Sequence, residues 1–155
     1  MSGFVISQVD PRDEEVNRLL QQHWQFTKEV TPPEHIHALD LDGLLDPSVA
    51  LFALWKNGRL LGVGALRTLD RSHVEIKSMH TTASARGQGV ARALLAHLLK
   101  VARDAGVERA SLETGIQEAF RPAISLYADT GFTFRGPFAD YVENSNSVFM
   151  TRRLD

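Results

Sequence analysis

Cysteine is missing from the chain of 155 residues, so disulfide bonds and any covalent intermediate on a thiol are excluded. An excess of one charge sign is missing too, because 17 basic and 19 acidic side chains give a net charge of -2. A nucleic-acid-binding surface generally carries a basic patch, so we expect no nucleic-acid partner. The sequence also lacks an apolar run of the roughly 20 residues that a membrane-spanning helix needs, and we expect no membrane partner.

The six histidines include no His-x-x-x-His pair, and without cysteine they predict no metal site. The first four residues lack the charged and apolar segments of a signal peptide, which predicts a cytoplasmic protein. Hydrophobic residues make up 43% of the chain and charged residues 23%, as is typical of globular proteins. The length suits one domain, residues 1–155, with a core of its own.

The first half of the sequence predicts a strand, helices and a hairpin. Residues 4–9 have strand-like alternation, and a helix is expected to begin near Asp10, which can cap it, and Pro11, which fits a first turn. Prolines 32 and 33 end that helix, and residues 35–45 are predicted to be short and irregularly helical. Two strands follow, residues 49–55 and 60–69. Between them Asn57 and Gly58 favour a tight hairpin turn.

The rest of the chain is organised around a glycine-containing loop that joins a strand to a long helix. Strand-like residues 74–81 lead into Arg86, Gly87, Gln88 and Gly89. After them, apolar residues recur at helical spacing up to Gly106, which is suited to end the helix. The first N–H groups of a helix lack internal partners and attract anions. Glycines leave these groups uncovered, so the loop predicts a cradle for phosphate or diphosphate.

Two common phosphate-binding motifs do not fit this loop. A P-loop needs Gly-Lys-Ser/Thr at its end, whereas this loop continues into Val90 and Ala91. A dinucleotide-binding fingerprint needs a third glycine and a position in the first strand–helix unit, and this loop lies in mid-chain. A tight turn that happens to need glycine remains an alternative.

The C-terminal part adds a strand at residues 107–113, a helix that begins near Pro122 and ends at Gly131, and strands at 132–135 and 147–152. This order predicts an α/β fold in which helices cover both faces of a mixed, mostly antiparallel twisted sheet. We find no internal repeat or linker.

Two blocks of sequence together resemble the GNAT superfamily of N-acetyltransferases. Arg86-x-x-Gly89-x-Ala91 is similar to its Gln/Arg-x-x-Gly-x-Gly/Ala signature, and the segment from Leu126 and Tyr127 to Phe132 is similar to its Leu-Tyr-x-x-x-Gly-Phe segment. The blocks span residues 74–132, and the N-terminal part agrees only in element order.

The resemblance implies a GNAT-like fold with splayed central strands, the strand ending at His80 and the one that contains Leu112. The gap between them would admit the pantetheine arm of acetyl-CoA, the co-substrate.

The resemblance also implies which residues bind this donor. The main chain of Met79, His80 and Thr81 would contact the pantetheine, and one of these N–H groups would polarise the thioester carbonyl. The diphosphate would lie in the block from Arg86 through Gly87, Gln88, Gly89, Val90, Ala91 and Arg92. For Arg86 and Arg92 the alternative is a solvated helix end.

Tyr127 matches the tyrosine that often serves as the general acid in this superfamily, and with a pKa near ~10 it is protonated at neutral pH. The alternative for Tyr127 is a core residue on the apolar face of its helix.

Glu75 is the candidate base, since a carboxylate on a central strand is unexpected unless it is paired or faces a cleft. The alternative for Glu75 is an ion pair with Lys77. Glu113 is a weaker candidate, and a water chain without a dedicated base is a further one.

One departure from the family concerns Phe120, which occupies a position where many relatives carry an asparagine that helps to hold the cofactor. Ser125 could supply that contact. The acceptor side is expected to draw on the first helices and on the loop before the last strand, where the polar aromatic residues are Trp24, His35, His37 and Tyr141. For each of these a packing or surface role is the alternative.

The sequence therefore predicts an acyl-CoA-dependent N-acetyltransferase that moves an acetyl group from acetyl-CoA directly to a primary amine of a small molecule. A non-catalytic acyl-CoA-binding or sensing module on the same fold is the main alternative, and a nucleotide phosphate binder is another. The resemblance also implies that a homodimer is common on this scaffold.

Overall fold

The computed structural model describes residues 3–31, 33 and 40–154. These residues form strands and helices whose bounds are β1 (Phe4–Gln8), α1 (Glu14–Val30), α2 (Leu41–Leu44), β2 (Val49–Lys56), β3 (Arg59–Asp70), β4 (His73–Thr81), α3 (Val90–Asp104), β5 (Arg109–Gly115), α4 (Arg121–Asp129), β6 (Thr133–Arg135) and β7 (Ser147–Arg153). Short 3-10 helices lie at Ala83–Ala85 and Glu118–Phe120. None of the helices in these described ranges is long and apolar enough to cross a membrane.

The strands form one seven-stranded sheet in the order β1-β2-β3-β4-β5-β7-β6. Neighbouring strands are antiparallel except β4 and β5, which are parallel. Parallel neighbours need a crossover connection, and α3 provides it. The predicted mixed, mostly antiparallel sheet is confirmed.

Helices cover both faces of the sheet, as the alternation along β2 shows. Leu51 and Ala53 belong to the core cluster that contains Leu19 and Leu20 of α1. Phe52 and Leu54 point the other way, into the cluster formed with residues of α3 and α4 such as Leu94. The predicted coverage of both faces is therefore confirmed.

Two predicted turns follow from local backbone chemistry. Asn57 and Gly58 both have positive φ, 53° and 76°, which is the type I′ geometry that an Asn-Gly pair favours between antiparallel strands. Gly106 follows α3 with φ 82°, the left-handed conformation common after a helix C-terminus.

The expected start of α1 was wrong. Asp13, rather than Asp10, is the N-cap, and its carboxylate accepts from the N–H of Val16 at 3.4 Å. Asp10 instead accepts from the backbone and side chain of Arg12, which closes a turn before the helix and uses the oxygens that would have capped it. The predicted end of α1 before the prolines is confirmed, since α1 ends at Val30. Residues 35–39 of the short segment expected at 35–45 lie outside the described residues; within them α2, residues Leu41–Leu44, forms its end.

Candidate active site

The central strands β4 and β5 separate partway along their length. Their parallel pairing runs from His73 opposite Arg109 to Ile76 opposite Leu112 and stops there, although both strands continue. Beyond that point a cavity of about 130 Å³ lies between them. The described residues that line it come from α1, β4, β5, the 3-10 helix before α4, α4 and the start of β7. They include His23, Lys77, Ser78, Met79, Glu113, Phe120, Tyr127 and Ser147. The expected splay of the central strands is present.

A β-bulge lies in β4 next to this cavity. Val63 of β3 is opposite His80 and Ala65 is opposite Lys77, so Ser78 and Met79 together face the single residue Gly64. Ser78 has a positive φ of 58°, as a bulge often requires. A Cβ on Gly64 would lie 2.6 Å from the Met79 sulfur. Glycine at this position therefore lets the Met79 side chain pack directly against the backbone of β3. The bulge changes the direction of β4 beside the cavity.

The glycine loop has the open geometry that an anion cradle requires. Gly87 and Gly89 have φ of 80° and 84°, and a Cβ on either would meet nothing within 4 Å. Gly89 is the N-cap of α3, and no side chain in the described part of the chain caps that helix. The first N–H groups and the dipole of α3 are therefore accessible to a negatively charged group. Arg92, predicted to help at this site, lies on the surface 3.7 Å from Asp129.

Tyr127 packs in the hydrophobic core and also lines the cavity. Its side chain is 7% exposed and contacts the ring of Phe132 edge to face, while the residue also lines the cavity. Burial raises the pKa of the Tyr127 phenol to about 12, so the hydroxyl is protonated at neutral pH. The two interpretations of Tyr127, core residue and proton donor, are compatible in this position.

Glu75 is completely buried and belongs to an ion pair, which is the alternative that the sequence left open for it. Its Oε2 accepts from the Nζ of Lys77 at 3.3 Å and from the Tyr141 hydroxyl at 2.5 Å, and Oε1 lies 3.7 Å from a guanidinium nitrogen of Arg67. The described residues that line the cavity include Lys77 but not Glu75. Glu75 thus lies behind the cavity wall, and its use as a base stays a prediction that this placement does not favour.

Glu113 is the carboxylate among the described residues that line the cavity. Its Oε2 accepts a hydrogen bond from the Ser147 hydroxyl at 2.6 Å. Because β5 pairs antiparallel with β7, Gly115 lies opposite Ser147, and the serine can reach the carboxylate two residues back. This places a fixed carboxylate at the diverging end of β5.

Of the four residues predicted to select the acceptor, the structure describes Trp24 and Tyr141. Trp24 packs against the core cluster on the α1 side, as the packing alternative predicted, and Tyr141 contacts the buried pair of Glu75 and Lys77. His35 and His37 lie outside the described residues. Phe120, at the position where relatives carry asparagine, lines the cavity.

Sequence reasoning missed several cavity residues, among them His23, Ser78 and Ser147. His23 had only the signal of a polar residue in the apolar stripe of α1. Ser78 and Ser147 had no sequence signal, because a bulge and a cross-strand contact bring them to the site.

Comparison with known proteins agrees with this architecture. The sequence model of the Acetyltransferase (GNAT) family matches residues 14–132. The chain is 46% identical over 140 residues to the uncharacterized N-acetyltransferase YsnE of Bacillus subtilis, an alignment that covers 90% of this chain and 93% of the relative. It is 32% identical over 155 residues to the IAA acetyltransferase of Azospirillum brasilense, covering 99% and 100% of the two chains.

A solved structure assigned as an acyl-CoA N-acyltransferase of Klebsiella pneumoniae has a TM-score of 0.82 at 30% identity, with 100% of both chains covered. The family match includes both sequence blocks, the splayed strands and the glycine loop, and the sequence relatives extend it over nearly the whole chain. The chain belongs to the GNAT family of acetyltransferases.

Proposed function

We propose that this protein transfers the acetyl group of acetyl-CoA directly to a primary amine of a small molecule. The observation that carries the proposal is the separation of β4 from β5 beyond Ile76 and Leu112, which creates a cavity lined by both Tyr127 and Glu113. A gap between two strands leaves backbone groups of β4 unpaired on that side. Such an opening suits an extended, amide-containing arm.

The residues at the end of β4 and in the glycine loop fit acetyl-CoA. Gly87 and Gly89 leave space above the N-terminus of α3 for a diphosphate. Met79 lines the cavity, and His80 and Thr81 follow it at the end of β4, which supports a role for this segment in holding the pantetheine. Acetyl-CoA, when bound, supplies the acetyl group as a thioester. A main-chain N–H in the segment from Met79 to Thr81 polarises the thioester carbonyl.

Glu113 acts as the general base and Tyr127 as the general acid. Glu113, held by the Ser147 hydroxyl, takes a proton from the acceptor ammonium and so frees the nitrogen lone pair that forms the new C–N bond. Tyr127 donates its phenolic proton to the sulfur as the C–S bond breaks. Its pKa of about 12 keeps that proton on the phenol at neutral pH, so the proton is available when the sulfur leaves.

We favour Glu113 over Glu75 as the base because a base must approach the proton that it removes. Glu113 lines the cavity, whereas Glu75 is enclosed by Lys77 and Tyr141. The cavity of about 130 Å³ has room for a primary amine and the few atoms next to it. The name of the full-length relative, an IAA acetyltransferase, supports a small molecule as the substrate.

A thiol-release assay tests this function. Purified protein is incubated with acetyl-CoA and a panel of small primary amines, and free CoA and the acetylated product are measured together. Transfer to at least one amine supports the proposal. Tight binding of CoA without turnover of any amine contradicts it and supports a binding or sensing module. Binding of nucleotides with indifference to CoA contradicts both.

A further inference from the structure

Lys77 brings a buried positive charge to the wall of the cavity. Its side chain is 7% exposed, and its Nζ lies 3.3 Å from Oε2 of the buried Glu75. Arg67, 3.7 Å from Oε1 of the same carboxylate, is 38% exposed, so water screens its charge. Water screens the charge of Lys77 poorly, so a carboxylate that reached Lys77 through the cavity would interact with it strongly.

The hydrogen-bond donors of Lys77 and Ser78 also suit a carboxylate ligand. An ammonium group has three donors, and the described residues provide two acceptors for Lys77, Glu75 Oε2 at 3.3 Å and the Tyr141 oxygen at 2.7 Å. Next in the strand, the hydroxyl of Ser78 is buried and has no hydrogen-bond partner in the described ranges. Both residues line the cavity. Buried donors are normally satisfied, so the cavity offers two adjacent donors, one of them charged.

The two sides of the cavity differ in charge. On the α1 side, desolvation and, after it, the charges of His80 and Lys77 lower the pKa of His23 to about 4, which makes His23 a neutral neighbour of the ammonium. On the β5 side, Glu113 carries the negative charge. A molecule with a cationic amine and an anionic group can match both sides at once.

We propose that the acceptor carries a carboxylate as well as its amine, and that Lys77 together with Ser78 binds that carboxylate in the cavity. This inference rests on the proposed function and names its substrate class, an amino carboxylate. Lys77 is the specificity-determining residue. Glu75 and Tyr141 are positioning residues, since their contacts hold the Lys77 ammonium at the wall of the cavity.

A binding experiment that needs no turnover tests the carboxylate site directly. The protein with CoA present is titrated with acetate and with the neutral, similarly shaped acetamide, and the His23 ring signals are followed by NMR. We expect acetate to bind at least about tenfold more tightly than acetamide, because a hydrogen bond from a charged donor to a carboxylate exceeds one to a neutral amide. Equal binding of the two overturns the proposal.

Variants assign the effect to Lys77. Lys77→Met leaves Glu75 buried with less compensation and is expected to lose stability, so the double variant Glu75→Gln/Lys77→Met, which removes both charges with little change in volume, is measured beside it. The preference for acetate should disappear in the folded double variant. A preference that survives there overturns the assignment to Lys77.

Kinetics separate this inference from the proposed function. Amino acids are compared with their carboxamides as acceptors, and kcat and KM are determined for each. We expect kcat/KM to favour the acids by about tenfold to 100-fold, mainly through KM. Equal use of both contradicts the inference and supports the acetyltransfer reaction. Acetate binding that depends on Lys77, without transfer to any amine, supports the anion site and contradicts the proposed reaction.

Discussion

The imidazole rings of His23 and His80 meet edge to face, with their Nδ1 atoms 3.3 Å apart. His23 belongs to α1 and His80 to the end of β4, so this contact joins the helix at the cavity to the bulged strand. Desolvation lowers the pKa of both groups to about 4, and both are neutral at pH 7. One neutral ring can then donate to the other, whereas two imidazolium rings would repel.

This pair predicts acid sensitivity. An unfolded histidine titrates near 6.5, whereas these folded ones titrate near 4. The folded state therefore binds fewer protons between those values, and stability falls as the pH drops through that window. We expect a loss of about 1–3 kcal/mol for the pair after allowing for partial solvent exposure. Denaturant unfolding at a series of pH values measures it. His23→Phe should remove a large part of the dependence, and an unchanged slope between pH 4 and 6.5 would contradict the pairing.

Tyr127→Phe should lower kcat by about 100-fold or more while leaving CoA affinity nearly unchanged, because general acid catalysis contributes roughly 10²–10⁴-fold and the ring still packs against Phe132. Steady-state kinetics and CoA titration measure the two effects. The chain offers a matched control in its other tyrosine. Tyr141→Phe also removes one hydroxyl, but it should act mainly on the KM of the acceptor. Equal kcat in the wild type and Tyr127→Phe would remove Tyr127 from the mechanism.

Gly89→Glu should weaken CoA binding by at least about tenfold, since it places a bulky negative side chain where the N-terminus of α3 attracts a diphosphate. Gly106→Glu is the matched control. Gly106 has nearly the same φ, 82° against 84°, and equally open space where a Cβ would lie, but it is at the other end of α3. Both variants carry similar backbone strain. Isothermal titration with CoA should separate them, and equal affinities would mean that the donor binds elsewhere.

Glu113→Gln should reduce kcat/KM by about 100-fold, because the amide cannot accept a proton from the acceptor. Ser147→Ala should have a smaller effect, less than about tenfold, since it removes one hydrogen bond to the carboxylate and leaves the carboxylate itself. Steady-state kinetics of the wild type and the two variants measure both effects. An unchanged kcat/KM in Glu113→Gln would return the role to another group.

The sequence was informative where a structure depends on a few neighbouring residues. Asn57 and Gly58 predicted the hairpin, and Gly106 predicted the end of α3, because positive φ is a local preference. Local preferences do not decide every position, as the N-cap of α1 shows. Asp10 and Asp13 both have the chemistry of a cap, and the contact of Asp10 with Arg12 decided between them.

The contacts that form the rest of the site join residues far apart in the chain. Tyr141 reaches Glu75 across 66 positions, and His23 reaches His80 across 57. The sequence left Glu75 open between a base and an ion pair, and gave no indication that Tyr141 would enclose it. Ser78 became a cavity residue through the one-residue offset between β3 and β4.

The sequence by itself determined the order of the elements, the mixed sheet and the glycine loop at the start of α3, because periodicity and backbone preference act over a few residues. The tertiary structure decided which carboxylate faces the cavity and which is buried behind it. Glu75 and Glu113 are alike as sequence features, each a carboxylate on a central strand. Strand register and the divergence beyond Ile76 and Leu112 separate them, and these arise only when distant strands pair.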